Sequence, residues 1–378
     1  MVRRRISTGL ALISASLLLI FPACVPERET TPAPRNIIFM IGDGMSNSIV
    51  SAARIKKGGV TGFLNMDRMP VVGLVRTSSA SHLITDSAAS GTAMSSGFKT
   101  YNGAIGVNAE GKNVLSILEA AMSRGMAGGL VATSPITHAT PASFGSHVAK
   151  RSEGNRIAEG LLANKIDVLL GGGYGFFIPK PEEGSYRNDE RDLIREAREA
   201  GYAVCLTREE MASAPAGMIL GLFARSSMTT EPPEPSLAEM AAEALRRLEV
   251  RKEGFFLMVE GSQIDYAAHD TDLEKTLNQT LKFDEAVATA LAFAEKDGRT
   301  LVIVTADHET GGLVITGGEM DGSKINVVWA WDNHNGATVP LYAFGPGAGE
   351  FAGFKENTDI PKIFARLLGI ADFPKIVE

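Results

Sequence analysis

The chain has 378 residues, 44% hydrophobic and 21% charged, with 40 glycines, an ordinary globular composition long enough for one large domain or two small ones. Its formal net charge of −7 argues against a large basic surface for nucleic acid. An anionic ligand would have to meet positive charge supplied locally, by a few side chains or by metals.

Residues 1–23 read as an export signal. Arg3, Arg4 and Arg5 form a basic start, and the almost wholly apolar stretch Gly9 to Phe21 follows. That stretch is shorter than the roughly 20 residues a membrane-spanning helix needs. Pro22-Ala23-Cys24 closes it, and a cysteine in that place resembles the lipidation site of bacterial lipoproteins. Phe21 stands where a Leu is usual, so ordinary signal-peptidase cleavage stays open as the alternative. The expected location is exported, in the periplasm or cell envelope, with membrane anchoring where Cys24 is lipidated. Residues 24–35, rich in Pro, Thr and Glu, read as a tether.

The folded body begins at Asn36 to Ile41, a continuous apolar run of the kind found in strands covered on both faces. Similar runs recur at Gly129 to Ala132, Ile166 to Leu170, Phe255 to Val259, Leu301 to Val304 and Val339 to Phe344. Helical patterns lie between them at Val114 to Met122, Leu237 to Leu248 and Leu273 to Ala294. Alternating strand and helix predicts an α/β fold, a three-layer α/β/α sandwich around a mostly parallel central sheet. Tyr202 to Leu206 reads as a buried strand whose Cys205 is a small hydrophobe without a role. Residues 311–331 read as a small hairpin insertion, with turn signals at Gly317-Gly318 and Asp321-Gly322.

Binding sites in such folds gather at the carboxyl ends of strands. Asp43 follows the first strand directly. Thr85 to Ala93 is a run of small residues in which Asp86 precedes Ser87, and Ser87 opens a helix with its hydroxyl toward the positive end of the dipole. A plain N-cap serine explains the helix start but not the preceding Asp. The segment Thr137-His138-Ala139-Thr140-Pro141 predicts a helix that carries His147 and Arg151 on one face. A guanidinium such as that of Arg151 grips two oxygens of an oxyanion at once.

Glu260 ends an apolar strand, and Asp265 and His269 follow four residues apart, a spacing that aims both at one metal from a helix. Leu301 to Val304 runs straight into Asp307 and His308, which are costly to bury unless paired or coordinated. His334 precedes the last apolar strand. Of only six histidines, four (His138, His269, His308 and His334) sit at predicted strand or helix mouths in the company of carboxylates, and this favours metal binding.

The stretches IGDGM, TDSAASGTA, THATPASFGSHVAKR, VEGSQIDYAAH, VTADHETGG and NHNGA resemble, in order, the motifs of the alkaline phosphatase family from Asn36 to Phe344. The resemblance implies a single catalytic domain over 36–378 that hydrolyses small phosphomonoesters through a phosphorylated Ser87. It implies two zinc ions, one held by Asp265, His269 and His334 and the other by Asp43, Asp307 and His308, and one magnesium held by Asp43, Thr140 and Glu260. Arg151 would clamp the phosphoryl oxygens, Asp86 would stand behind the catalytic residues, and His138 would touch the waters of the magnesium. Relatives carry varied residues where this chain has Tyr266. A homodimer is a further expectation, since dimers are common in the family. Two other readings stay open: a phosphodiesterase of the same superfamily, and a non-catalytic surface lipoprotein that binds phosphate or metal.

Overall fold

The computed structural model describes residues 33–377. The export signal, Cys24 and most of the expected tether lie outside the described residues. Arg35, at the tether's end, already belongs to the body, because its backbone N–H donates to the Arg299 carbonyl at 2.8 Å. Among the described residues no helix is long and apolar enough to cross a membrane.

The strands in chain order are β1 (Asn36–Gly42), β2 (Val71–Arg76), β3 (Ala127–Pro135), β4 (Val168–Gly172), β5 (Ala203–Cys205), β6 (Ile219–Leu222), β7 (Phe255–Gly261), β8 (Thr300–Thr305), β9 (Glu309–Thr310), β10 (Leu313–Gly318), β11 (Ile325–Trp329), β12 (His334–Asn335), β13 (Val339–Phe344) and β14 (Gly353–Glu356). Ten of them form one sheet in the order β14-β2-β13-β8-β1-β7-β3-β4-β6-β5. Its pairs are parallel except where β13 runs antiparallel to both β8 and β2. Every residue of β1, β7 and β8 is buried, as apolar strands covered on both faces must be.

Two neighbouring phenylalanines of β7 show the layering, since successive side chains on a strand point to opposite faces. Phe255 meets Phe293 of the long helix Leu273–Asp297, with ring centroids 5.7 Å apart. Phe256 meets Phe144 of the helix Ala139–Gly145 at 6.1 Å and Phe364 of the helix Asp359–Leu367 at 5.7 Å. Helices therefore cover both faces, giving the expected α/β/α sandwich.

Three local expectations need correction. The helix expected from Val114 begins at Ile117, because Ser116 caps it and Glu119 closes a capping box back onto the Ser116 N–H. The Cys205 strand is the edge of the sheet, and only Cys205 of its three residues is buried. His147 and Arg151 do not share a helix face. The helix that begins at Ala139 stops at Gly145, Ser146 is extended, and the chain beyond pairs with Gly103 to Gly106 instead. The hairpin in 311–331 forms as β10 and β11, antiparallel with a register shift between Ile315 and Gly317.

Candidate metal centre and active site

Sheet register brings the acidic residues to one level. Ile41 of β1 pairs with Glu260 of β7 on one side and with Thr305 of β8 on the other. Asp43 and Asp307 each lie two residues beyond that rung, so three carboxylates from three adjacent strands meet at the carboxyl end of the sheet. All three are fully buried.

Their surroundings leave them electrostatically uncompensated. Both carboxylate oxygens of Asp43, Oε1 of Glu260, Oδ2 of Asp307, the hydroxyl of Thr140 and Nδ1 of His138 are buried without a hydrogen-bond partner. Burial, then the charges of Asp307, Asp265 and Glu260, hold Asp43 well above the ordinary carboxylate range. Burial pushes Glu260 up to about 7 and raises Asp307 too. Burial also keeps two imidazoles neutral: His308 is driven well below its ordinary value with help from His334, and His138 down to about 3 with help from Arg151. A site that disfavours its own charges in this way accepts cations, which reverse the balance.

Among the described residues, His and carboxylate ligand atoms fall into three groups, each within 4.8 Å: Asp265 with His308 and His334, Asp43 with Asp307 and His308, and Asp43 with His138 and Glu260. His269 adjoins the first group, its Nε2 lying 3.4 Å from Asp265 Oδ1 and 3.1 Å from His334 Nε2. His138 lies beside the third group, and since Arg151 donates to its Nε2 the neutral ring presents Nδ1–H, a donor suited to a cation's water. Asp265 and His269 lie on one helix, Gln263–His269, and so approach from the same side.

Fixed partners aim these ligands. The N–H groups of Gly44 and His308 donate to Asp307 Oδ1 at 3.1 and 3.0 Å, leaving Oδ2 free. Ser134 donates its hydroxyl to Glu260 Oε2 at 3.2 Å. Thr310 donates to Asp265 Oδ1 at 2.5 Å and stands 3.3 Å from His308 Nδ1. Strands β9 and β12 pair Thr310 with His334, which ties His334 to the residue that holds Asp265. Thr310 is not among the residues that the sequence singles out, and the available signal is a hydroxyl two residues after a ligand pair.

Ser87 is the first residue of the helix Ser87–Ser96, 2% exposed, with Oγ 3.2 Å from His308 Nε2. Asp86 supplies the N-cap, accepting from the Ala89 N–H at 2.9 Å. Ser87 is thereby released from capping. The other oxygen of Asp86 accepts from the Gly103 N–H and from Arg151 Nη1, both at 3.0 Å. Arg151 Nη2 donates to His138 Nε2 at 2.9 Å, so one guanidinium bridges the serine side and the Glu260 side of the site. Tyr266 meets His138 edge-on at 5.9 Å, and burial raises its phenol so that it stays neutral. A buried serine oxygen, a guanidinium and clustered cation ligands together suit displacement at an oxyanion centre.

Comparison with known proteins adds independent findings. The family model described as alkaline phosphatase matches residues 34–327. Alkaline phosphatase 4 of Bacillus subtilis is 36% identical over an alignment 418 positions long, gaps included, that covers 88% of each chain. The solved alkaline phosphatase of the Antarctic bacterium TAB5 superposes with a TM-score of 0.82 at 34% identity, over 90% of this chain and 99% of that one. A variant of that Antarctic enzyme with a histidine changed to aspartate, solved with magnesium in a site designated M3, matches at 35% identity with a TM-score of 0.81 over 90% of this chain and 99% of that one.

Proposed function

The chain belongs to the alkaline phosphatase family, and from that premise we propose that its hydrolysis of phosphomonoesters runs through a phosphorylated Ser87 beside three divalent cations. The observation that carries this reading is the set of buried, unpartnered oxygens on Asp43, Thr140, Glu260 and Asp307. Asp265, His269 and His334 would hold one zinc, and Asp43, Asp307 and His308 the other. Asp43, Thr140 and Glu260 would hold magnesium, whose preference is for oxygen ligands. The magnesium bound to the Antarctic variant supports a third position, and the nearness of His138 to Asp43 and Glu260 supports putting it there.

When bound, the cations supply Lewis-acid neutralisation of phosphoryl oxygens and make the serine hydroxyl easier to deprotonate. Ser87 stands at the positive end of its helix, relieved of capping by Asp86, and attacks phosphorus as the ester oxygen departs in line. Water then cleaves the phosphoserine and restores the hydroxyl. Arg151 grips two of the equatorial oxygens, and Asp86 fixes the plane of the guanidinium. These groups address the phosphoryl alone, which supports a broad range of small phosphomonoesters.

The body is a single catalytic domain in this reading. Export to the periplasm or cell envelope, a lipid anchor on Cys24 and a homodimer complete the proposal, resting on the leader sequence and on family habit. The test is phosphate release from p-nitrophenyl phosphate, its bis-ester and the corresponding sulfate, with metal content measured before and after chelation. The monoester should be strongly preferred, chelation should abolish release, and Ser87→Ala should be inactive; equal rates for Ser87→Ala and the parent protein would overturn the mechanism.

A further inference from the structure

Arg151 lies outside any helix, on a stretch whose backbone pairs with residues 103–105. Val148 and Ile105 exchange backbone hydrogen bonds at 2.9 and 3.0 Å, and the Arg151 N–H donates to the Gly103 carbonyl at 2.7 Å. Gly103 to Gly106 is therefore the strap from which Arg151 hangs. At its near end, the Gly103 N–H is held by Asp86. At its far end, the Gly106 carbonyl lies 2.8 Å from His147 Nδ1, and His147 Nε2 lies 2.9 Å from Glu119 Oε1.

Both ring nitrogens of His147 thus face oxygens that only accept. A neutral imidazole donates from one nitrogen only, so the charged form alone satisfies both contacts. Gly106 has φ +59°, and an added Cβ would stand 2.2 Å from the Ser146 carbonyl and 2.6 Å from His147 Nδ1; the close approach requires glycine. Glu119 is itself fixed, accepting from the Ser116 N–H at 2.9 Å and from Asn164 Nδ2 at 3.0 Å.

We propose that the His147–Glu119 ion pair is a latch that positions Arg151 for phosphate by clamping the far end of the Gly103–Gly106 strap. The inference rests on the reading of Arg151 as the phosphate clamp. Burial opposes the charge on His147, but the Glu119 carboxylate and the Gly106 carbonyl outweigh it and hold the imidazole above its ordinary value of 6.5. Glu119 is correspondingly lowered despite its burial. The other charged groups near His147, Arg156, Glu159 and Arg191, line a cleft of about 520 Å³ beside it. Arg156 is paired with Glu153, and Arg191 with Glu159 and Glu196, so Glu119 is the carboxylate bonded to the ring. As pH rises through the folded-state value, His147 loses its proton, the latch opens and phosphate is held less tightly.

The experiment is a double-mutant cycle on the metal-loaded enzyme, reading the inhibition constant of inorganic phosphate together with KM and kcat. His147→Gln should weaken phosphate binding and raise KM by roughly tenfold with kcat changed less, a fraction of what a misplaced positioning group costs. In an Arg151→Ala background the same change should add nothing, because the latch acts only through Arg151. Glu119→Gln should shift the weakening of phosphate binding to lower pH. Additive effects of His147→Gln and Arg151→Ala would overturn the latch while sparing the clamp; an Arg151→Ala enzyme with unchanged phosphate affinity would overturn the clamp itself. Should His147→Gln fail to fold, nitrogen NMR of the parent enzyme decides: both ring nitrogens of His147 should be protonated at neutral pH and titrate together with phosphate affinity, and a ring protonated on one nitrogen at neutral pH would refute the latch.

Discussion

The Nε2 atoms of His269 and His334 face each other at 3.1 Å, while each ring turns Nδ1 to a backbone carbonyl, Asp332 at 2.8 Å and Thr85 at 3.0 Å. Carbonyls only accept, so each Nδ1 carries the hydrogen and two lone pairs are left pointing together. A cation between them removes the repulsion. Chelation should therefore lower the melting temperature markedly, and zinc added back should restore it. A cation at a thousand times its dissociation constant contributes about 4 kcal/mol to folding, which calorimetry resolves easily. An unchanged melting temperature after verified metal removal would contradict the metal reading.

The metal-free protein should have an unusual pH profile. Glu260, raised from 4.5 to about 7, contributes stability that is complete below 4.5 and lost as pH climbs through 7. His138, lowered from 6.5 to about 3, contributes stability that is complete above 6.5 and lost as pH falls toward 3. Between 4.5 and 6.5 the two slopes oppose each other. The raised Asp43 adds to the decline as pH climbs. Chelated protein should thus be most stable in mild acid, and metal-loaded protein at higher pH, in paired thermal melts; coincident profiles would refute this assignment.

Asp86 joins a helix cap to the guanidinium, and two substitutions separate those tasks. Asp86→Asn keeps an oxygen for the Ala89 N–H but turns an amide N–H toward Arg151 and the Gly103 N–H, so phosphate inhibition should weaken about tenfold or more at a modest cost in stability. Asp86→Ala should lose the cap as well, costing about 1 kcal/mol more in denaturant melts.

Thr310→Val preserves shape and deletes the hydroxyl that Asp265 accepts. Groups behind a metal ligand set its orientation, and removing one costs about 10- to 100-fold in metal affinity. Competition of zinc against a chromophoric chelator should show the largest weakening for one equivalent, with a smaller change passed to the neighbour that shares His308.

Much of this architecture is readable in the chain because burial dictates it. A strand covered on both faces must be apolar throughout, so β1, β7 and β8 announce themselves, and a carboxylate at the end of such a strand is too costly to keep there unless it binds something. Contacts between distant segments are what sequence conceals. Asp86 and Arg151 lie 65 residues apart and meet through a strap that carries no periodic pattern. The spacing of His147 and Arg151 suits a helix equally well, and only the pairing with Gly103 to Gly106 overrules it. Ser87 looks like a cap residue until Asp86 is seen to hold that place.

Asp43 belongs to two of the three ligand groups and His308 to two as well. Ions sharing a ligand are thermodynamically linked: filling one position alters the charge and orientation that its neighbour meets, and the influence is equal in both directions. Loading should follow a cooperative or anticooperative isotherm in place of three independent steps. With zinc and magnesium as proposed, the sharing would make the centre responsive to the ratio of available metals, the supply of one governing how firmly the other is retained.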